Sequence, residues 1–372
     1  MNRLTRAYLA VVGLSVIGAC GGQSLNLDQN SETPSGGGGA GALGVVEKNQ
    51  LKDRINDFWV DDSRIYWSTN GAFQAQSCVY GRCAATLVTY GQSWGPISPS
   101  GEDIFFPALP MKPSGGFGGT LIRCPKQGCT GTPEPFLQDS AIGLAQLASD
   151  DLHLYWPSSF DIYRCPLEKC GDIPEFVAKS KGSDGPLNLL GQTVFWWGIS
   201  DTATVESRET RIYSAPKDGS RPPSTLTPSG PSGETLIYDE PVLAVGSEGI
   251  YWLDRDSHVQ HCPLIGCGDA PPVTLVSTDI HKTSVWVDAA NLYWLEVDGL
   301  STYGNLQTGT IRFCPISGCA DGVESKALTS NRIRKFVLTT DYVYWNEPET
   351  TIDNPAGVDK VIYRMAKPRF NP

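Results

Sequence analysis

An apolar residue followed by two aromatic ones recurs seven times along the chain. The copies are Ile65-Tyr66-Trp67, Ile104-Phe105-Phe106, Leu154-Tyr155-Trp156, Val194-Phe195-Trp196, Ile250-Tyr251-Trp252, Leu292-Tyr293-Trp294 and Val343-Tyr344-Trp345, spaced 39 to 56 residues apart. Periods of this size belong to propellers and solenoids. A short alternating run and a polar turn precede each pair, most clearly in VWVDAANLYW (285–294) and FVLTTDYVYW (336–345). A third strand such as Thr310-Ile311-Arg312-Phe313 and a short fourth such as Ser325-Lys326-Ala327-Leu328 complete each unit. Four strands per unit and seven units without intervening helices predict an all-β, seven-bladed propeller of antiparallel blades. A helical solenoid would show amphipathic helices, and a parallel β-helix would have shorter rungs. Neighbouring side chains on a strand point to opposite faces, so Tyr293 and Trp294 are each expected to fill a different inter-blade layer. Burial of such a ring contributes about 1.5–3 kcal/mol. Core filling is therefore the main reading of these aromatics, with a sugar-stacking platform as the alternative.

The last unit runs Val361-Ile362-Tyr363-Arg364 and leaves little chain for a fourth strand before Pro372. A strand near 43–48 is expected to supply it and close the ring. The propeller is assigned to 49–372.

Ten of the eleven cysteines form five pairs of equal spacing: Cys78/Cys83, Cys124/Cys129, Cys165/Cys170, Cys262/Cys267 and Cys314/Cys319. Each pair sits between the third and fourth strands of its unit, around turn-forming residues such as Pro315 and Gly318. A hairpin loop of four residues is an ordinary length and brings its flanks within disulfide reach. The fourth unit has Ala215-Pro216-Lys217-Asp218-Gly219-Ser220 instead, keeping Pro and Gly and losing both thiols together. A staple can be dropped as a pair while its turn stays. Zinc sites usually use two-residue spacing and a second ligand pair, and only His153, His258, His261 and His281 offer imidazoles. Local disulfides are expected, with redox-active pairs and metal ligation as the other readings.

The eleventh cysteine has a different setting. Arg3 and Arg6 form a short basic region, and residues 7–19 are nearly all apolar or small. Thirteen residues at 1.5 Å rise do not span about 30 Å of hydrocarbon, so the segment reads as a signal peptide over 1–19. Its end, Ile17-Gly18-Ala19-Cys20, resembles the lipobox of bacterial lipoproteins. The resemblance implies cleavage before Cys20 and its acylation, palmitate included. Gly21 rather than Asp after the cysteine implies, by analogy with enteric lipoproteins, sorting to the outer membrane. Residues 20–48, rich in Gly, Ser, Asn and Gln, read as the acylated cysteine and a flexible tether.

Removing residues 1–19 takes away Arg3 and Arg6, so Lys+Arg falls from 29 to 27 against 40 Asp+Glu, and the net charge goes from −11 to −13. Such an acidic chain is not expected to bind nucleic acid or to dock electrostatically on anionic headgroups. Ten tryptophans, fourteen tyrosines and many Gly and Pro suit a β-rich, turn-rich protein.

LYW, then IRF, a turn and KALT resemble the YWTD-type repeat of low-density-lipoprotein-receptor propellers. Residues IYSAPKDGS (212–220) come closest to that family's LDGS turn. The chain also resembles bacterial lipoproteins with YW-rich propeller repeats and Cys-Pro-x-x-Gly-Cys turns. The resemblance covers about residues 50–368. It implies a propeller serving as a binding or release module. It departs in blade number, since the receptor type has six, and in the residues after the aromatic pair, such as Pro157, Trp197, Leu253 and Asn346.

Loops joining second and third strands share one face with the inter-blade links, and the clamps occupy the other. The clamp loops are short and alike. The former vary from PSSFD (157–161) to GISDTATVESRET (198–210), EVDGLSTYGNLQTG (296–309) and NEPETTIDNPAGVD (346–359). Variable loops on a stiff scaffold are where binding resides. Asp201, Glu206, Glu209, Glu296, Asp298, Glu347, Glu349, Asp353 and Asp359 make this face acidic and are the candidate ligand-binding residues. Solvated loop charge is the plainer reading; a basic protein, a cationic ligand or Ca²⁺ is the sharper one. No EF-hand loop is present, and no cofactor is expected. His258 and His261 with Asp254 and Asp256 suggest a metal pocket less readily than surface groups. No Gly-x-Ser-x-Gly, His-Glu-x-x-His, P-loop or sialidase Asp-box occurs. The expected function is a monomeric, non-enzymatic binding or scaffold lipoprotein for a protein or polymer ligand. A propeller hydrolase or lyase acting on envelope or extracellular polysaccharide is the alternative. Non-reducing peptide mapping should recover five short cystine peptides; links between distant clamps would overturn the local pairing.

Overall fold

The computed structural model describes residues 47–51, 55–61, 63–69, 74–93, 97–108, 120–131, 133, 135–138, 147–158, 161–170, 173–180, 187–199, 210–227, 242–254, 256–278, 280–297, 309–318, 326–330, 333, 335–351 and 354–367. They form seven four-stranded antiparallel sheets. Blades 1 to 6 cover 55–92, 98–138, 148–179, 188–225, 243–276 and 281–330 in chain order. Blade 7 takes three strands from 335–366 and its outermost from Glu47–Gln50, which pairs with Val361 to Arg364. This closing strand was expected near 43–48; Val45 and Val46 lie outside the described residues. Its sequence, EKNQ, carries no apolar alternation, because the place is won by backbone pairing at a sheet edge. Among the described residues the only helices are Cys83–Thr86 and the 3-10 turn Ile316–Gly318. The first strands of successive blades neighbour one another around a central axis, and that of blade 7 meets that of blade 1.

Seven apolar clusters fill the seven layers between blades, and the aromatic pairs supply them as the alternation requires. Tyr293 faces blade 7 and Trp294 faces blade 5. Tyr155 faces blade 4 and Trp156 faces blade 2. Tyr66 faces blade 2, and Trp67 packs with Val337 and Tyr344 of blade 7. In every blade the first ring points forward and the second points back, so no blade has a complete core without both neighbours. That mutual dependence makes the ring closure energetically necessary.

A polar joint recurs at three of these layers. Asp61 lies in the turn after the first strand of blade 1, and its Oδ1 accepts the amide N–H groups of Ser63 and Arg64. Its Oδ2 accepts the Tyr66 hydroxyl at 2.9 Å and Lys126 Nζ of blade 2 at 2.6 Å. Asp150, Tyr155 and Lys217 repeat the joint between blades 3 and 4, at 3.0 and 2.9 Å. Asp288, Tyr293 and Lys367 repeat it between blades 6 and 7, at 3.1 and 2.6 Å. Each lysine also lies over the tyrosine ring, 5.6 to 5.9 Å from its centroid. At the layer between blades 2 and 3 the same positions hold Ser100, Phe105 and Leu167, and the last two share an apolar cluster. Phe195 and Leu264 do likewise between blades 4 and 5. Between blades 5 and 6, Gly246 replaces the aspartate and Ile316 the lysine, and the buried Tyr251 hydroxyl finds no hydrogen-bond partner among the described residues. Between blades 7 and 1 the joint is aromatic, with Tyr80 edge-on to Tyr344 at 5.6 Å. Lys335 and Asp57 add an ion pair across that last layer.

The clamps differ from the expected hairpins. Cys78–Cys83, Cys124–Cys129, Cys165–Cys170 and Cys262–Cys267 are disulfides with Cα separations of 4.7, 5.1, 5.0 and 5.2 Å. Cys314 is also disulfide-bonded, and Cys319 lies outside the described residues. Cys129, Cys170 and Cys267 sit in the loops ahead of their fourth strands, as Cys129 does ahead of Pro135–Gln138 and Cys267 ahead of Val273–Val276, and Cys83 opens the short helix that precedes Val88–Gln92. The staple therefore closes a turn at the end of the third strand and does not tie two strands. The turn is built by Gly266 N–H donating to Pro263 O, with Gly266 at φ +89°. A Cβ there would lie 2.6 Å from Leu226 O, after the outermost strand of blade 4. In blade 4, which lacks the cysteines, a Cβ on Gly219 would lie 3.0 Å from Phe176 O of blade 3. The clamps are wedges driven against the preceding blade, and glycine is needed both for the left-handed turn and for the close approach.

Burial works against ionisation of Asp61 and Asp150, but their lysines and turn amides outweigh it and hold both carboxyls at about 2, below the usual carboxylate range. A depressed carboxylate contributes stability above its unfolded value, and that contribution is lost as the pH falls from about 4 toward 2. Lys217→Leu, which removes one partner of a largely buried pair, should cost about 2–3 kcal/mol in urea unfolding at pH 7. Asp150→Ser/Tyr155→Phe/Lys217→Leu, which copies the apolar joint, should stay within about 1 kcal/mol of the parent. That triple variant should also lose less stability than the parent between pH 5 and pH 2. A triple variant as unstable as the single one would refute the interchangeability of the joints.

Candidate functional site

The antiparallel order of each blade sorts its connections between two faces. Turns between first and second strands and the clamps lie on one face. Links between second and third strands and between blades lie on the other, the loop face. The candidate acids were all placed on the loop face, and Asp201, Glu206, Glu209, Asp298 and Asp353 lie outside the described residues.

Glu296 and Glu347 belong to strands rather than loops, Glu296 next to the loop-face end of Asn291–Val297 and Glu347 midway along Tyr342–Thr351. Each follows the motif tryptophan by two residues, so the two side chains share one face of the strand. Trp294 Nε1–H donates to Glu296 Oε1 at 2.9 Å, and Trp345 Nε1–H donates to Glu347 Oε1 at 2.7 Å. Glu296 is only 3% exposed, and its Oε2 pairs with Arg312 of the adjacent strand. These two carboxylates cap the indoles of blades 6 and 7, so Glu296 is not the solvated loop charge that was expected. The Trp-x-Glu spacing in both blades was the available signal.

The expected loop 346–359 is instead an extended hairpin. The second strand of blade 7 continues to Thr351 and the third begins at Asn354, with Thr351 opposite Asn354. Register shifts at Glu347/Pro348 and Glu349/Thr351 mark bulges in the arm. Proline is tolerated at such a bulge, which is why Pro348 does not end the strand. Glu349 and Asp359 are carried on this arm, which projects from the loop face beyond the ends of its own blade's inner strand.

His258 and His261 do not converge. Asp254 Oδ1 accepts the amides of Asp256 and His258, and its Oδ2 accepts Gln260 Nε2 at 2.7 Å. This organises the loop-face turn of blade 5. His261 points toward the clamp end, 4.8 Å ring to ring from Tyr251. Among the described residues no group of three or more His, Cys, Asp or Glu side chains is arranged to hold a metal ion.

One pair was not anticipated. Ser257 stands in the same turn at φ +62°, the only non-glycine residue with positive φ among those described. Its hydroxyl lies 2.8 Å from Nδ1 of His281, at the start of the first strand of blade 6. A serine held in an unusual backbone conformation against a histidine is chemically suggestive. Sequence distance hid it, since the two residues belong to different blades.

No protein-family model matches the chain, and no curated protein sequence matches it. Solved structures do resemble it. The tricorn protease matches with a TM-score of 0.57 at 11% identity, over 86% of this chain and 35% of that one. The present chain thus spans about a third of that protease. The β-propeller domain of the trilobed protease from Pyrococcus furiosus matches with a TM-score of 0.53 at 11% identity, covering 87% of this chain and 100% of that one. A streptogramin B lyase matches with a TM-score of 0.51 at 10% identity, over 87% and 98%. At these identities the likeness defines the fold: the protein is a seven-bladed β-propeller. Proteases and a lyase stand among the neighbours, and the fold does not choose between binding and catalysis.

Glu296→Ala should cost about 2–3 kcal/mol in thermal or urea unfolding, because it strips a buried indole N–H and a guanidinium of their common acceptor. Glu296→Gln, which keeps an acceptor for Trp294, should cost less. Equal and negligible losses would show that the carboxylate is not a structural group.

Proposed function

We propose that the chain is a lipid-anchored propeller of the cell envelope that captures a protein or polymer ligand on its loop face. The anchor is Cys20, acylated after removal of residues 1–19, and residues 21–46 are the tether to the ring. The location is the outer membrane, and the YWTD-like repeat is the expected kinship. The observation that carries the binding reading is the contrast between the two faces. The clamp face is braced by stapled turns wedged against neighbouring blades, whereas the loop face carries the blade 7 arm of Tyr342–Thr351 and Asn354–Ala366. A rigid ring presenting a projecting β-hairpin suits recognition of an extended partner. The acidic residues Glu349, Asp353 and Asp359 favour a basic or cationic one.

Affinity capture from solubilised envelopes tests this with the parent protein and a Glu349→Lys/Asp353→Lys/Asp359→Lys variant. The parent should retain a partner that the variant loses, with unchanged unfolding midpoints. Identical capture by both would reject the acidic arm as the binding element. The second reading, a hydrolase, rests on Ser257 and His281. A fluorophosphonate probe that labels Ser257 in the parent and not in a His281→Ala variant would favour it; no labelling of Ser257 would remove it.

A further inference from the structure

The strand that closes the ring has a direction. Glu47 pairs with Arg364, near the clamp end of its partner, and Gln50 pairs with Val361, farther toward the loop face. The chain preceding Glu47 therefore joins the ring at the clamp face. An anchor upstream would therefore hold the ring by its clamp face.

A second observation concerns surface chemistry. The exposed large hydrophobic residues among those described are Trp59, Leu87, Leu152, Ile173, Phe176, Ile265 and Val273. All belong to the clamp end. Leu152 is in the turn between first and second strands of blade 3, and Leu87, Ile173 and Ile265 are in clamp loops of blades 1, 3 and 5. Phe176 and Val273 lie in the opening residues of fourth strands, next to those loops. Trp59 is one residue from the clamp end of the first strand of blade 1, and its ring approaches Trp286 of blade 6 to 5.9 Å. Ile265 is 91% exposed, Ile173 84% and Leu152 69%. Ile265 occupies the tip of a stapled turn, where a polar residue would serve the turn equally well. These side chains fall in three groups, on blades 1, 3 and 5 with blades 2 and 4 between them, and so do not form the single contiguous patch that a protein partner buries. They do suit a fluid plane, into which each side chain can dip independently.

We propose that the clamp face rests on a lipid surface and that Leu152, Ile173 and Ile265 insert into its interfacial zone. The strongly acidic chain selects a zwitterionic surface, phosphatidylethanolamine or phosphatidylcholine, over an anionic one. The proposal rests on the anchored reading for the tether at Cys20, but the face itself is chosen by strand polarity and exposed side chains. Docking in this orientation holds the loop face and its hairpin arm toward the aqueous side.

The test uses the full-length protein, with the lipid on Cys20 first verified by mass spectrometry. Hydroxyl-radical footprinting is run in phosphatidylethanolamine/phosphatidylcholine vesicles and in a short-chain detergent. Oxidation at Leu152, Ile173 and Ile265 should fall about threefold or more in vesicles, with loop-face residues unchanged. An Ile173→Asp/Ile265→Asp variant should keep its unfolding midpoint and lose the protection at Leu152. Unchanged rates in vesicles would overturn the proposal. So would equal, concentration-dependent protection in detergent, which would assign the face to a second copy of the chain. If Cys20 carries no lipid, the anchor reading fails separately, and flotation of the protein with the same vesicles decides the docking. Flotation abolished in the aspartate variant supports it, and flotation absent in the parent or unaffected by the variant overturns it.

Discussion

Each blade buries one aromatic ring forward and one backward, and the rest of the structure depends on that arrangement. A four-stranded sheet on its own would expose both rings. Two neighbours are needed to cover them, and only a closed ring gives every blade two neighbours. The edge strand Glu47–Gln50 and the Lys335–Asp57 pair act at the single layer where closure must join the two ends of the sequence.

Within that frame the inter-blade joints show how polar and apolar solutions substitute for one another. Asp, Tyr and Lys occur together at three layers, and Phe and Leu occur together at two. An ion pair at the edge of a core is stable only when every partner is present, and its apolar replacement works only when all charges leave. The Tyr251 layer has lost the aspartate and the lysine while retaining the hydroxyl, which is why that hydroxyl is orphaned. The carboxylates that hold these joints, like Glu296 and Glu347 under the tryptophans, are structural. They account for acidic side chains that a count of charges alone would assign to a binding surface.

The two faces divide the remaining work. Clamp turns need a left-handed glycine where the backbone of one blade closes on the outer strand of the preceding one, as at Gly219 and Gly266. A disulfide across such a turn restrains it, and blade 4 shows that the wedge forms without one. The other face is free of that constraint, so its connections vary in length and one of them grows into the blade 7 arm. Stiffness on one side and freedom on the other follow from where blades press together.

Blade number, the split of each aromatic pair between two inter-blade layers, four of the five local cysteine pairings and the source of the closing strand were legible in the amino-acid sequence. Each is a periodic or short-range property, readable from alternation along a strand and from spacing within a turn. Register and long-range proximity were not. The strand character of Glu296, the hairpin that replaces the loop at 346–359, the offset of the second cysteines from the fourth strands, and the meeting of Ser257 with His281 emerged only from the folded chain. So did the Asp–Tyr–Lys joints, whose lysines lie 60 to 79 residues beyond the aspartate and tyrosine they meet. Such contacts are decided by how one blade seats against the next, and a sequence records the residues of both surfaces without recording their alignment.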